Sequence, residues 1–199
     1  MHNNLYQAAV ILAAVLMLGS TPHRTLQNDH RMSSHGRYTG APDLALTSAM
    51  LAAGGGAATF HATTLLGVLA GPHASAEVAS LTRRFGKARV AQFASTFDTF
   101  VSRAVTIVQA QKIDVPAPSP ALTHNGVMLS ASLRQAGVMP DGRFDVGYML
   151  EHLLSRPMHK ALMNQVNADP KFGPKVNADF HVVLTAVMDD LKRLYRLRS

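Results

Sequence analysis

From Asp43 onward, apolar residues recur at every third or fourth position, and the stretches that carry them are separated by glycine or proline. This spacing puts apolar side chains on one side of a helix, whereas the alternation that is typical of half-buried strands is missing. Glycine just after a helix and proline soon beyond it are ordinary stop signals. The pattern therefore predicts an all-α fold. We expect a single domain of about eight amphipathic helices over residues 43–199, arranged as a bundle or a globin-sized helical assembly.

The breakers divide this region into predicted helices over residues 44–53, 59–70, 87–111 and 125–136, and four more that begin at the capping residues Ser75, Asp145, Ser155 and Asn177. Asp98 and Arg103 lie outside the apolar stripe of the longest helix and are expected to be solvated. Three prolines in the sequence DVPAPSP, residues 114–120, predict an extended connector. The stripe itself is predicted to be buried and consists of Val90, Phe93, Phe97, Phe100, Val101, Ala104, Ile107 and Val108.

An unbroken apolar run, AAVILAAVLML, occupies residues 8–18. A helix needs about 20 residues to span a bilayer, whereas the apolar part of a signal peptide takes about 7–15. Residues 1–20 are therefore predicted to be a signal peptide, and the protein is expected to be periplasmic or secreted, with no transmembrane helix in the mature chain. The polar, aperiodic residues 21–42 are predicted to be a flexible leader. The alternative is an uncleaved apolar N-terminus, because no Lys or Arg precedes the run.

The composition limits the chemistry that is open to this chain. It contains no cysteine, which excludes disulfides, Cys-ligated zinc, iron–sulfur clusters and covalent c-type haem. Its net charge of +7 permits an anionic partner such as a nucleic acid or a membrane surface. Two basic clusters occur, at residues 83–89 and 192–198, without interleaved aromatic residues. We interpret both as solvated faces, so a nucleic acid is not the expected partner; the alternative is a basic surface binder that uses Lys192–Arg198.

Histidine is the remaining handle for a metal or a haem. A noncovalent haem needs an apolar pocket and one axial histidine on a helix. His159 is the candidate axial ligand, and Phe93 and Phe97 are candidate lining residues. Glu151, His152 and His181 lie in the same part of the sequence, but H-E-x-x-H is absent, so no metal site is predicted. The nucleophile motif Gly-x-Ser-x-Gly is absent as well, and no catalytic residue is predicted.

Three segments resemble a family of exported bacterial proteins of unknown activity. They read SLTRRFGKARVAQFASTFDTF, PDGRFDVGYMLEHLLSRPMHKALM and ADFHVVLTAVMDDLKRLY. The resemblance implies an exported, helical, non-membrane protein, and it implies no reaction. We therefore expect an exported soluble helical protein that binds a small molecule or a protein without catalysis. The alternative is a globin-like protein that binds haem noncovalently through His159.

Overall fold

A computed structural model describes residues 41–197, in which ten α-helices follow one another along the chain. The predicted signal peptide, most of the predicted leader and Arg198 lie outside the described residues. Among the described helices, none is long and apolar enough to cross a membrane. The helices are α1 (Leu44–Ala53), α2 (Ala62–Ala70), α3 (Ala74–Phe85), α4 (Lys87–Ala110), α5 (Pro120–Thr123), α6 (Gly126–Ala136), α7 (Val146–Leu154), α8 (Arg156–Ala168), α9 (Gly173–Asp179) and α10 (Thr185–Tyr195).

The last two helices form one continuous rod, because a π-helical segment, Phe180–Leu184, joins α9 to α10 without a break. If this rod is counted once and the single turn α5 is left out, eight helices remain, as predicted. Within residues 41–197 the pairing of extended backbone is limited to one isolated bridge between Val138 and Phe144. The all-α prediction is thus confirmed.

The core is organised around α4 and Phe180. Every residue of the predicted α4 stripe is buried except Val90, which is partly buried. The Phe180 ring lies edge-on to three phenylalanine rings of α4, with centroid distances of 5.7 Å to Phe93, 5.6 Å to Phe97 and 4.6 Å to Phe100. Such edge-to-face pairs are a favoured aromatic geometry. The C-terminal rod is therefore anchored to the longest helix by one aromatic cluster.

The helix starts show which capping predictions succeed. Asp145 caps α7 as predicted, since its Oδ1 accepts a hydrogen bond from the Tyr148 N–H at 2.8 Å. Ser75 lies inside α3, because the turn Gly71–His73 leads straight into that helix. Asn177 lies inside α9, where its amide donates to Asn167 Oδ1 at 3.2 Å. Ser155 occupies the N-cap position of α8 as predicted, although its side chain makes no capping hydrogen bond, so two of the four predicted caps are wrong.

Two residues of α4 that were expected to be solvated hold neighbouring elements instead. Asp98 Oδ1 accepts a hydrogen bond from the Ala62 N–H at 2.7 Å, so α4 supplies the cap of α2 and that helix begins at Ala62 rather than at residue 59. Arg103 donates to Asp169 Oδ2 at 2.7 Å and lies 4.2 Å from the centroid of the Phe172 ring. Their side chains are 31% and 29% exposed, so both residues are only partly solvated.

The proline-rich connector is extended, as predicted, and it is tied to α1. Residues 113–119 have no regular secondary structure, and the Ser48 hydroxyl donates to the Pro116 carbonyl at 2.8 Å. The preceding residue of α1, Thr47, donates from its hydroxyl to the Leu153 carbonyl at 2.7 Å, which links α1 to the end of α7. The two hydroxyls thus satisfy one carbonyl group of the connector and one at the end of α7.

Candidate binding surface on helix α3

His159, the candidate axial ligand, lies on α8 with 16% of its side chain exposed. Burial lowers the pKa of its imidazole, and the carboxylates of Glu151 and Asp145 oppose that shift. The nearest carboxylate oxygen, Glu151 Oε1, is 3.9 Å from Nδ1. Burial thus favours the neutral imidazole of His159, which is the form that binds a metal.

The two predicted haem-lining residues, Phe93 and Phe97, lie in the aromatic core of the protein. The rings of Phe93 and Phe97 stack at 5.9 Å with an angle of 19°, and both contact the Phe180 ring. Both side chains are 7% exposed and belong to the packed core. A porphyrin between them would have to displace Phe180. Haem binding through His159 stays a prediction, with the hemin titration described below as its test.

The remaining residues of the predicted histidine group are not brought together. His152 packs against Tyr148 at a ring distance of 4.5 Å, and its Nδ1 is 3.0 Å from the Tyr148 carbonyl oxygen. His181 lies in the π-helical segment and is exposed. Across residues 41–197, no three His, Asp or Glu side chains are grouped as ligands of one metal ion.

The two basic clusters of the sequence meet at one buried carboxylate. Asp190 on α10 is 8% exposed. Its Oδ2 accepts a hydrogen bond from Arg84 Nη1 at 2.9 Å, and its Oδ1 accepts from Arg193 Nη2. Arg89 binds Asp179 Oδ1 through its Nε at 2.6 Å. Residues 83–89 and 192–196 therefore share one region of the surface although they are about 100 positions apart in the sequence.

Arg84 and Arg89 also contact an aromatic ring. Their guanidinium carbons lie 5.3 Å and 5.6 Å from the centroid of the Phe85 ring, within the range of a cation–π contact. The preceding residue of α10, Asp189, accepts a hydrogen bond at its Oδ1 from Arg134 Nη1 at 3.1 Å. The two adjacent aspartates thus point to different partners, as expected from the 100° turn between neighbouring helical positions.

A charged groove of about 420 Å³ opens between α3 and α10. Glu77 lies in this groove, and its Oε1 is buried without a hydrogen-bond partner in the described part of the protein. Burial raises the pKa of the Glu77 carboxyl, and the guanidinium groups of Arg84 and Arg193 oppose that shift. The groove is lined by residues of both helices and of the turn before α3, namely His73, Ala76, Glu77, Ser80, Asp190, Arg193 and Leu194.

An apolar groove of about 300 Å³ opens between α2 and α3. Val78 lies at its edge and is 41% exposed, although the sequence pattern suggests a buried residue. At 100° per residue, the α3 residues of this groove lie roughly opposite those of the charged groove. The apolar groove is lined by Thr63, Leu66, Ala74, Ser75 and Val78.

Helix α3 therefore forms a ridge between two open grooves. Its crest carries small exposed residues, Ser75, Ala76 and Ala79, followed by the exposed Arg83. We call this crest together with the two grooves the α3 surface. The α3 surface is not predictable from local sequence, because α3 buries only Leu81 among its residues and the two grooves depend on how α2 and α10 pack beside it. The one available signal was the excess of small residues in the sequence ASAEVAS at 74–80.

Comparison with known proteins gives no relative on which to base a function. No protein-family model, curated protein or solved structure matches the chain.

Proposed function

We propose that this chain is an exported helical binding module and that its ligand, a protein or a small molecule, binds at the α3 surface. The observation that carries the proposal is the position of α3 between an apolar groove and a charged groove. Ligand sites in proteins combine apolar contact area with a few convergent polar groups. The α3 surface offers Val78 and Leu66 on one side, and Glu77 and Arg193 on the other.

The charged groove adds polar groups that a ligand can contact. The Glu77 carboxyl lies in this groove together with Arg193, whose side chain is 71% exposed. A ligand with a hydrogen-bond donor for Glu77 and an acceptor for Arg193 would match both groups.

A photo-cross-linking experiment tests the position of the site. Benzoylphenylalanine replaces Val78 in one protein and Val127 in another, and each is expressed in the cells from which the gene comes. Val127 on α6 is the matched control, because it is 43% exposed against 41% for Val78. We expect an adduct of defined mass from position 78 alone. Excess wild-type protein should suppress that adduct, and Val78→Asp protein should not. Equal yields from the two positions, or no adduct, would contradict the proposal.

Export is proposed on the apolar run at residues 8–18. Its test is fractionation of bacterial cells that express either the full chain or a chain without residues 1–20. The full chain is expected outside the cytoplasm, with a new N-terminus near residue 21, and the shortened chain inside. Identical distributions of the two would remove export from the proposal.

The meeting of the two basic clusters around Asp190 favours a second candidate function, a binder of nucleic acid or another anionic surface. Binding of this kind weakens steeply with salt, because phosphate contacts release counterions. Titration of double-stranded DNA at rising salt concentration tests it. The second candidate expects salt-dependent binding that is reduced in Arg83→Glu and unchanged in Val78→Asp.

A further inference from the structure

We infer that the partner of the α3 surface is an acidic amphipathic helix, which places apolar side chains in the apolar groove and carboxylates against the arginines beside the charged groove. This inference rests on the proposed function and assigns the chemistry of the ligand.

The shape of the α3 surface suits a helix. Two helices pack at 8–10 Å between axes, and the distance is set by the side chains at the contact. The crest of α3 carries a serine and two alanines, Ser75, Ala76 and Ala79, so a second helix can approach it closely. The grooves on either side of this crest receive the side chains that flank the contact line of the incoming helix. An amphipathic helix in a groove is a common mode of peptide recognition.

The apolar part of the contact comes from the groove between α2 and α3. Val78 is one of the few large apolar residues in the described chain that are more than 40% exposed, and Leu66 is partly buried beside it. Covering Val78 with an apolar side chain removes that area from water, which is the main favourable term in association. A fully polar ligand such as a phosphate chain would leave this groove unfilled.

The charges around the crest favour an acidic partner. Arg83 is exposed at the end of the crest, and no carboxylate in residues 41–197 pairs with it. Arg84 and Arg193 share the carboxylate of Asp190, and Glu77 is a second acidic group beside them. The four arginines Arg83, Arg84, Arg89 and Arg193 thus outnumber the three carboxylates of Glu77, Asp179 and Asp190. Complementary charges at the edge of an interface select the partner and speed its association.

The same residues favour a protein over a nucleic acid. Single-stranded nucleic acids stack their bases on exposed aromatic rings. Phe85 is the aromatic residue of α3, and it is partly buried, with the guanidinium groups of Arg84 and Arg89 beside its ring. The α3 surface thus offers an apolar groove and carboxylate-binding arginines rather than a stacking platform.

A selection experiment tests the inference. The protein is used to select binders from a library of randomised 18-residue helical peptides, and the affinity of the recovered peptides is measured by fluorescence anisotropy. We expect the recovered peptides to be acidic, with leucine or similar residues on one face. Replacing their Glu and Asp residues by Lys should abolish binding.

Four variants locate the contact. Val78→Asp should weaken binding about tenfold, because a charge replaces an apolar contact. Arg83→Glu should weaken it about fivefold at low salt, and the difference should shrink near 0.5 M NaCl. Val127→Asp and Lys160→Glu are the controls, since they change an equally exposed valine and an exposed basic residue on other helices, and they should bind like the wild type. Thermal melts should show all four variants folded.

The outcomes separate this inference from the proposed function. Peptides that are neutral or basic but lose affinity in Val78→Asp would overturn the acidic partner and leave the α3 surface as a binding site. Peptides that bind Val78→Asp as well as the wild type, or a selection that recovers none, would overturn both. A double-stranded DNA or heparin probe that binds in a salt-dependent manner, depends on Arg83 and ignores Val78 would replace the helix by a polyanion.

Discussion

Replacing Gly126 by alanine tests the close approach of α2 and α6, the pair of helices that fixes one wall of the apolar groove. Gly126 is the first residue of α6. A Cβ atom at this position would lie 1.9 Å from the carbonyl oxygen of Val68 and 3.1 Å from that of Leu69. Both contacts are with the backbone of α2, so no side chain can rotate away and the two helices would have to separate.

The magnitude follows from two opposing effects. Alanine in a helix is favoured over glycine by about 0.5–1 kcal/mol. Forcing an extra carbon into packed structure typically costs about 1–3 kcal/mol, and here the obstacle is rigid backbone, which places the cost at the upper end of that range. Separation of the helices would also lengthen the bond from the Ser130 hydroxyl to the Leu69 carbonyl, which is 3.3 Å long. We expect Gly126→Ala to lower the free energy of unfolding by about 2 kcal/mol.

Gly67→Ala is the matched control. Gly67 lies in the middle of α2, and a Cβ there meets nothing within 4 Å. This variant should gain up to about 1 kcal/mol. Urea unfolding followed by far-UV circular dichroism measures both variants. The thermal midpoint should fall by about 4–8 °C in Gly126→Ala and rise by about 2–4 °C in Gly67→Ala. A Gly126→Ala protein as stable as the wild type, or a loss of equal size in both variants, would refute the described packing of α2 on α6.

Three further predictions concern charged and titratable groups. Asp190→Asn removes the charge that Arg84 and Arg193 share. Because both arginines are partly exposed, the free energy of unfolding should fall by about 1–2 kcal/mol in a urea titration. Asp141→Asn, which removes an exposed ion pair with Arg143, should change stability much less, and equal losses would contradict the linking role of Asp190. Burial raises the pKa of the Glu77 carboxyl, so its contribution to the stability of the folded state is fully favourable below the pKa of the unfolded chain and is lost as pH rises through the folded pKa. Glu77→Gln should therefore become more stable than the wild type from about pH 4.5 upward. A stability difference that is constant at all pH values would count against this prediction. If haem binds through His159, hemin should give a Soret shift that disappears in His159→Ala, and no shift, or one that survives the substitution, would remove the haem hypothesis.

The sequence was sufficient to predict the helices that carry a continuous apolar stripe. The α4 stripe and the Asp145 cap depend on residues within one or two turns of each other, so local spacing determines them. The start of α2 was missed because its cap is Asp98, which lies 36 positions further along the chain. The predicted cap at Asn177 failed because α9 already begins at Gly173, with Pro174 in its first turn, so Asn177 lies inside the helix.

The candidate binding surface was harder to predict, since it is a product of packing. Arg84 and Asp190 are 106 positions apart, and neither sequence cluster indicates that the other lies beside it. Val78 has a helical neighbour pattern like that of buried Leu81, and its exposure results from the gap between α2 and α3. Periodicity identifies which side of a helix is apolar, but it does not determine whether another element covers that side.

Hydrogen exchange in the presence of a bound peptide tests the claim of an α3 binding surface most directly. The wild-type protein is saturated with an acidic helical peptide from the selection, and amide exchange is compared with that of the free protein. We expect slower exchange in α2, α3 and α10 and no change in α6. Slower exchange confined to α8, or spread evenly over all helices, would contradict it.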